Sequence, residues 1–213
     1  RRRHTLDLLV SWARRCVLET GSGDITINDA PNVAQLKTIN AGTTGDITLG
    51  VTNGALSGTA ADLVLAFAGN VTTHAAQVTI EDVPNVAQLK TINNATSGNI
   101  VLSTAGQNYS GNAADLAVAF AGTINSSGDI TITDAPNVAQ LKTINTGTTG
   151  DITLDVTNGA LSGSAADLVL AFAGNVTTHT GGVTITDAPN VAQLKTINAA
   201  TNGDITLDVT NGA

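Results

Sequence analysis

The chain has no methionine, one cysteine, four prolines and few aromatic residues, which make up 2% of the sequence. A single cysteine, Cys16, excludes a disulfide framework within the chain, so stability must come from packing and hydrogen bonding. Because large aromatic side chains are scarce, we expect a core of Ala, Val, Ile and Leu in close, regular layers. No apolar run approaches the length needed to cross a membrane, and we therefore predict no membrane span.

Basic residues are also scarce, and they are unevenly placed. Five of the nine are arginines within the first 15 residues, and the other four are lysines at one repeated position. From residue 20 onward, 15 acidic residues stand against four lysines. Such a surface repels nucleic acid and anionic membranes, so we expect neither as a partner. The acidic, lysine-poor composition, rich in Thr, Asn and Gly, is typical of a secreted or cell-surface bacterial protein.

A unit of 53 residues repeats along the chain. The decapeptide PNVAQLKTIN recurs at spacings of 53, 52 and 53 residues, beginning at Pro31, Pro84, Pro136 and Pro189. A repeat this regular predicts that each unit packs against its neighbours. We interpret residues 21–213 as four tandem copies, the last one truncated, in a piece of a longer array. Residues 1–20 are interpreted as a degenerate half-repeat that caps the array.

The first half of each unit predicts a helix followed by a strand. In one copy, apolar side chains recur at helical spacing, at Val138, Leu141 and Ile144. We expect Asp134 to cap the amino end of this helix, with proline in its first turn, and Asn145 with Gly147 to end it. Residues 151–157 then alternate apolar and polar side chains, as in a strand with one buried face. The matching aspartates of the other copies are Asp29, Asp82 and Asp187.

The second half of each unit begins at Leu161-Ser-Gly and predicts another helix and strand. Ser164 and Asp167 have the spacing of a capping box, in which the two residues satisfy the first turn of a helix. Gly174 is expected to end this helix, and residues 182–187 to form the next strand. Equivalent caps in the other copies are Thr59 and Asn112, and equivalent glycines are Gly69 and Gly122.

With residues 5–15 taken as a degenerate second helix, this pattern gives eight helices and eight strands at about 26 residues per pair. We predict an open α/β solenoid of about eight strand–helix coils with a parallel sheet, similar in architecture to leucine-rich repeats. A closed (β/α)8 barrel has the same count. Barrel strands, however, are buried on both faces and are apolar throughout, whereas these strands carry Thr at alternate positions.

The alternation of the Ala-rich segment Ser162–Ala171 with the Thr-rich segment Val183–Asp187 resembles a known style of repeat. It is similar to tandem repeats in giant bacterial surface and adhesin-like proteins, including cyanobacterial ones. The resemblance covers essentially all of residues 5–213. It implies a structural or adhesive array at the cell surface and no defined catalytic activity.

The residue that opens each strand forms a column, and two pairs of aspartates in it could bind a cation. The pairs are Asp24 with Asp46 and Asp129 with Asp151. Neighbouring strands lie about 4.8 Å apart, where two carboxylates repel each other and Ca²⁺ would relieve the repulsion. The alternative is that these are solvated turn residues bonding their own backbone. We predict no other cofactor.

Threonine occupies one outward strand position in seven strands, namely Thr26, Thr48, Thr79, Thr131, Thr153, Thr184 and Thr206. A flat grid of threonines can order water, as in ice-binding solenoids, or hold a glycan. The alternative interpretation is β-propensity combined with solubility. The repeated histidines, His74 and His179, are interpreted as solvated loop residues, since they lie too far apart to share a metal.

The sequence therefore favours a non-catalytic stalk, spacer or adhesive array of a secreted or cell-surface bacterial protein. Such a segment would associate with itself or with neighbouring repeats, and could stack head to tail into filaments. Two alternatives remain open. One is a surface-binding module that uses the threonine face. The other is a closed-barrel enzyme, for which the irregular copy containing Glu81, Gln107 and Tyr109 is the place to look for a site.

Overall fold

The chain folds as a mixed α/β protein in which short helices alternate with short parallel strands. The computed structural model describes residues 21–50, 54–69, 71–155, 159–174 and 176–208. The helices of these ranges are α1 Val33–Ala41, α2 Ala60–Ala66, α3 Val86–Ala95, α4 Ala113–Ala119, α5 Val138–Gly147, α6 Ala165–Ala171 and α7 Val191–Ala200. The strands are β1 Ile25–Ile27, β2 Ile47–Leu49, β3 Leu56–Gly58, β4 Val78–Ile80, β5 Ile100–Leu102, β6 Tyr109–Gly111, β7 Ile130–Ile132, β8 Ile152–Leu154, β9 Leu161–Gly163, β10 Val183–Ile185 and β11 Ile205–Leu207. The predicted helix at residues 5–15 and Cys16 lie outside the described residues.

Strand pairing arranges the chain in successive rows, with one helix between each row and the next. The sheets are β1–β2, β3–β4–β5, β6–β7–β8 and β9–β10–β11, and every pair within them is parallel. Single bridges, Ile47–Val71, Ile100–Ile124 and Ile152–Val176, join each sheet to the row that follows it. The eight rows are β1, β2 with β3, β4, β5 with β6, β7, β8 with β9, β10, and β11.

Within the described residues the sheets are open and have two or three strands each, so they do not close into a barrel. The strands are also shorter than predicted. Of the stretch expected to be one strand, the structure describes residues 151–155, in which β8 covers Ile152–Leu154, and Leu161-Ser-Gly, which was not predicted as a strand, forms β9.

The core lies between the strands and the helices and is built almost wholly from aliphatic side chains, as predicted. In β7, Ile130 and Ile132 are fully buried while Thr131 between them points outward, because successive strand residues face opposite sides. One leucine from each of α1 to α6 meets this layer, and these leucines are all 0% exposed: Leu36, Leu63, Leu89, Leu116, Leu141 and Leu168. The inner face of the strands and one face of the helices thus form one continuous core.

The helices begin at caps that the sequence only partly predicted. Asn137, not Asp134, caps α5, and its side chain accepts a hydrogen bond from the Gln140 backbone while Gln140 bonds back to the Asn137 N–H. The same box recurs at Asn32, Asn85 and Asn190. Pro136 therefore precedes the cap and does not lie in the first turn. In the second half, Ser164 is the cap of α6, as expected.

Gly174, predicted to end α6, follows the last helical residue by three positions and has a φ of 69°. Gly69 and Gly122 have φ values of 71° and 74° at the same point of their copies. Only glycine adopts this left-handed backbone at little cost. The glycines therefore turn the chain out of the helix, as predicted.

No helix among the described residues combines the length and the apolar character that crossing a membrane requires.

Candidate functional surface

In the first three decapeptides, the lysine joins its helix to the next one. Lys142 in α5 donates to Asp167 in α6 at 2.6 Å, and Lys37 in α1 donates to Asp62 in α2 at 2.5 Å. Lys90 makes the same contact with Asp115. The hydrogen bond from the lysine is the largest reason why the pKa of each of these carboxyls lies below its ordinary value. Both groups are partly exposed, and exposed ion pairs add little to the free energy of unfolding. We therefore expect these pairs to help align neighbouring helices.

In the first three decapeptides, the final asparagine closes the carboxyl end of the following helix. Asn145 Nδ2 donates to the carbonyl oxygens of Leu170 and Ala173, at 2.9 and 2.7 Å. Asn40 contacts Leu65 and Ala68 in the same way. Gly147 is the last residue of α5, as predicted, but Asn145, which was also predicted to end this helix, lies within it. Its side chain supplies donors to carbonyls that the end of a helix leaves unpaired.

The once-per-unit aspartates also act between rows. Asp134 accepts a hydrogen bond from the Ala113 N–H at 2.6 Å, and Ala113 is the first residue of α4. The equivalent bonds join Asp82 to Ala60 and Asp187 to Ala165, both at 2.7 Å. Asp134 was correctly predicted as a helix cap but assigned to the wrong helix. The helix it caps precedes it by 21 residues, a distance that local sequence patterns do not reveal.

The four candidate calcium ligands lie on adjacent rows, as the register predicted. Asp24 Oδ1 accepts from the Asp46 N–H and Asp129 Oδ1 from the Asp151 N–H, both at 3.0 Å. One oxygen of the first aspartate in each pair is thus already engaged with backbone. Across the described part of the chain, no group of three or more His, Cys, Asp or Glu side chains is placed to hold a metal ion. Calcium at these pairs stays a prediction.

The threonines share the outward face of the strands, but they do not form one straight column. Thr26 lies beside Thr48, Thr131 beside Thr153 and Thr184 beside Thr206. Thr79, in contrast, lies between Ser57 and Val101. In rows with two strands, the first strand pairs with the preceding row and the second strand pairs with the following row. This applies to β2 and β3, to β5 and β6, and to β8 and β9. The hydroxyl surface is therefore stepped.

His74 and His179 are buried, with 2% and 1% of their surfaces exposed, so the prediction of solvated loop residues was wrong. Each ring packs against a phenylalanine, with centroids 5.9 Å apart for Phe67 and His74 and 5.8 Å for Phe172 and His179. His74 Nε2 also lies 3.0 Å from the Gly54 carbonyl oxygen. Their backbones bridge to Thr96 and Thr201 in the next row, which carries the side chains inward.

Burial makes the folded state sensitive to acid. It is the main cause that lowers the pKa of both imidazoles from 6.5, and contacts with backbone offset it only in part. A histidine with a depressed folded pKa stabilises the fold above its unfolded pKa, and that contribution is lost as the pH falls below about 6.5. We expect the free energy of unfolding to decrease between pH 6.5 and 5, and a His74→Leu/His179→Leu variant to lose most of this slope.

Chemical unfolding at several pH values tests this prediction. The lysine-paired aspartates do not interfere, because their pKa values are lowered from 3.8 and they titrate at more acidic pH. Equal slopes in the parent and the double variant between pH 6.5 and 5 would contradict the assignment of the acid sensitivity to the buried histidines.

In the described part of the irregular copy, Glu81 does not lie with Gln107 and Tyr109 in one groove. Glu81 is exposed and accepts a hydrogen bond from Ser57, while Gln107 donates to the carbonyl oxygen of Asn108. Tyr109 is buried and meets Phe120 edge to face at 5.3 Å, and burial raises the pKa of its phenol. A surface groove borders Gln107 and Tyr109 but not Glu81. These three side chains therefore serve packing and local bonding.

A set of glycines that the sequence analysis missed allows the rows to approach closely. An ideal Cβ on Gly98 would lie 2.0 Å from the Ala76 carbonyl oxygen, and one on Gly150 would lie 2.3 Å from that of Gly128. Gly45 and Gly203 are in the same situation. Each of these residues lies two positions before the first residue of a strand. That recurrence was the signal available in the sequence.

Comparison with known families matches the chain to the coiled stalk of trimeric autotransporter adhesin, the YadA stalk family, over residues 22–57, 121–162 and 181–213. These stretches make up just over half of the chain, which therefore belongs to this family. Each contains one decapeptide with its flanking strands, and the copy beginning at Pro84 lies outside them. Searches of curated proteins and of solved structures found no match.

Family membership makes the chain a repeat segment of the structural stalk of a bacterial adhesin, located at the cell surface or outside the cell. This confirms the predicted class of protein and its location. The family is described as a coiled stalk, whereas the described helices of this chain have seven to ten residues and alternate with strands.

Proposed function

We propose that the chain is a non-catalytic stalk or spacer segment, built as one open α/β solenoid of eight stacked rows. One observation carries the proposal. The recurring polar side chains, of which Lys142, Asn145 and Asp134 are examples, bind the next or the preceding row and do not converge on a common site. A segment of this kind sets the distance between its two ends, and this role does not require a binding pocket.

The same proposal covers the organisation of the chain. Residues 21–213 are four tandem copies of the unit, and residues 1–20 are a degenerate half-repeat at one end. Residues 31–75 and 136–180 differ at only four positions, as though a block of 105 residues had been copied whole. Length is then the property that duplication adjusts, which suits a spacer. The resemblance to giant arrays, including cyanobacterial ones, extends this idea to a longer array.

Self-association is part of the proposed function. Adhesins of the matched family are trimeric by description, so copies of this stalk segment would associate side by side. Rows could also meet end to end, as filaments require, because a repeat that packs on its neighbours leaves similar surfaces at its two ends. Calcium bound between the paired aspartates would be compatible with the role of a self-associating stalk.

Length provides the test of the spacer. In a solenoid, inserting a second copy of residues 31–135 adds four rows at about 4.8 Å each and lengthens the particle by about 19 Å. A globule of the same mass would grow by a few ångströms, because its radius rises with a low power of chain length. Small-angle scattering of both proteins, in calcium and in chelator, gives the lengths and the oligomeric state.

We expect the full increase in both buffers. An increase of only a few ångströms would overturn the solenoid, and an increase seen only in calcium would turn the paired aspartates into a metal site.

A second candidate function is binding through the threonine face. The observation in its favour is that Thr131 and Thr153 lie side by side on β7 and β8, and that Thr184 of β10 lies beside Ser162 of β9. Replacing these three threonines by Tyr should abolish binding to a glycan array or to ice while the melting temperature stays within a few degrees. Unchanged binding in the folded variant would eliminate this candidate, and so would the absence of binding by the parent chain.

A further inference from the structure

The helices of the second half-repeats, α2, α4 and α6, carry a large apolar side chain on their outer side at one repeated position. Leu65 in α2 and Leu170 in α6 are 53% and 52% exposed, and Val118 holds the same position in α4, where it is partly exposed. The buried residues of each helix lie on its other side, in the core. We call Leu65, Val118 and Leu170 the apolar stripe, which recurs on every second row.

Small side chains surround the apolar stripe. One helical turn before the two leucines, Ala61 and Ala166 are exposed, and the neighbouring helices α3 and α5 expose Ala87 and Ala139. The leucines therefore project above their surroundings, where another molecule can reach them. Covering such side chains with a second apolar surface is favourable. Their recurrence at one position distinguishes them from single exposed apolar residues, which are common on protein surfaces.

Charge is divided between the helices and the rest of the chain. All four lysines lie in the described helices, and three of them donate to the acidic residues that these helices contain, Asp62, Asp115 and Asp167. Every other acidic residue from residue 20 onward lies in a strand or a turn. The helical layer is therefore nearly neutral, whereas the strands and turns are strongly acidic. Two copies of the chain repel each other least when their helical sides meet.

From the position of the apolar stripe and the division of charge, we propose that copies of this chain associate through their helical sides, with the apolar stripe of one copy against that of the next. The inference rests on the self-association in the proposed function and identifies the surface that carries it. The matched family is trimeric, and three copies related by one rotation run parallel, because an antiparallel pair cannot belong to a threefold arrangement. Rotation about an axis along the stalk keeps equivalent rows level, so Leu65 of one copy lies beside Leu65 of its neighbour.

Charge substitutions on the two sides of the chain test which side associates. Leu65→Glu/Leu170→Glu places two carboxylates in the apolar stripe. Thr48→Glu/Thr153→Glu is the matched control, because both threonines are exposed on the strands, lie 105 residues apart as the leucines do, and give the same change in net charge. Sedimentation velocity over a range of protein concentrations gives the mass of each protein, and circular dichroism monitors its folding.

We expect the parent chain and the threonine variant to form the same oligomer. The leucine variant should need at least about tenfold higher concentration to do so, because it loses apolar contact and brings like charges together in the interface. Its circular dichroism spectrum should match that of the parent, since both leucines are exposed in the single chain.

Equal association of the leucine variant and the parent would overturn the apolar stripe as the interface and leave self-association standing. Equal weakening of both variants would also overturn it, because net charge alone would then explain the loss. A parent chain that stays monomeric at every concentration would contradict the proposed self-association itself, and with it this inference.

Cross-linking of single thiols tests the parallel arrangement. In a Cys16→Ser background, chains with Leu65→Cys and chains with Leu170→Cys are mixed and treated with a mild oxidant, one of the two being enlarged by a tag so that a gel separates the products. We expect linked pairs of equal kind. A predominance of mixed pairs would mean that the copies run antiparallel and would overturn the parallel arrangement.

Discussion

Replacing Gly98 by alanine should be among the most damaging single-methyl changes in this protein. The new Cβ would lie 2.0 Å from the carbonyl oxygen and 2.5 Å from the carbonyl carbon of Ala76 in the preceding row, and backbone cannot yield as a flexible side chain can. The two rows must move apart, which weakens the hydrogen bonds and core contacts between them. We expect a loss of about 1–3 kcal/mol in the free energy of unfolding, or more, from this overpacking.

Gly182→Ala is the matched control, because its Cβ would lie 3.7 Å from the nearest heavy atom, the Asp204 carbonyl oxygen, which is an ordinary contact. This variant should change the free energy of unfolding by less than about 0.5 kcal/mol or raise it slightly, since alanine has a smaller unfolded-state entropy than glycine. Urea unfolding followed by circular dichroism measures both. Similar midpoints for the two variants would show that the rows are not held at the described spacing.

Leu141→Ala should remove a similar or larger amount of stability by a different route. Leu141 is 0% exposed and lies in α5, which packs against α4 on one side and α6 on the other. Truncation loses the burial of its side chain and leaves a cavity between rows that can close only in part. We expect a decrease of about 2–5 kcal/mol in the free energy of unfolding.

Leu170→Ala provides the control on the neighbouring helix, because Leu170 is 52% exposed and its truncation opens no cavity. Its effect should stay within about 0.5 kcal/mol. Urea unfolding measures both variants. The midpoint and the slope of each transition are compared, because repeat arrays can unfold in parts. A small effect of Leu141→Ala, equal to that of Leu170→Ala, would contradict the position of the core between the helices and strands.

Sequence patterns predicted helices, strands and caps correctly where the residues that interact lie a few positions apart. The spacing of Val138, Leu141 and Ile144 predicted α5, and all three are buried. The alternation around Thr131 predicted β7 and its outward threonine. The Ser164 cap was also predicted, because the residue and its partner are three positions apart.

Other predictions failed because the partner lies in another row. Asp134 was assigned to the nearest helix, whereas its bond reaches back 21 residues to Ala113. Asn145 was taken as a stop for α5, but it donates to carbonyls 25 and 28 residues further along. His179 was predicted to be solvated, whereas its ring is buried and packs against Phe172.

The functional interpretation also has a part that is supported and a part that stays a prediction. The repeat, the absence of converging polar groups and the acidic composition indicated a structural surface segment, and the family match supports that class. The calcium pairs and the threonine face stay predictions, because both depend on ligands.

By itself, the sequence determined the period of the repeat, the alternation of helix and strand, and which side chains face inward. These properties depend on residues a few positions apart, where helical and strand geometry fixes the neighbours. Tertiary structure decided which row each cap serves, why Gly98 must be glycine, and how Lys142 finds Asp167. Those contacts join residues 21 to 25 positions apart, and the stacking of rows brings them together.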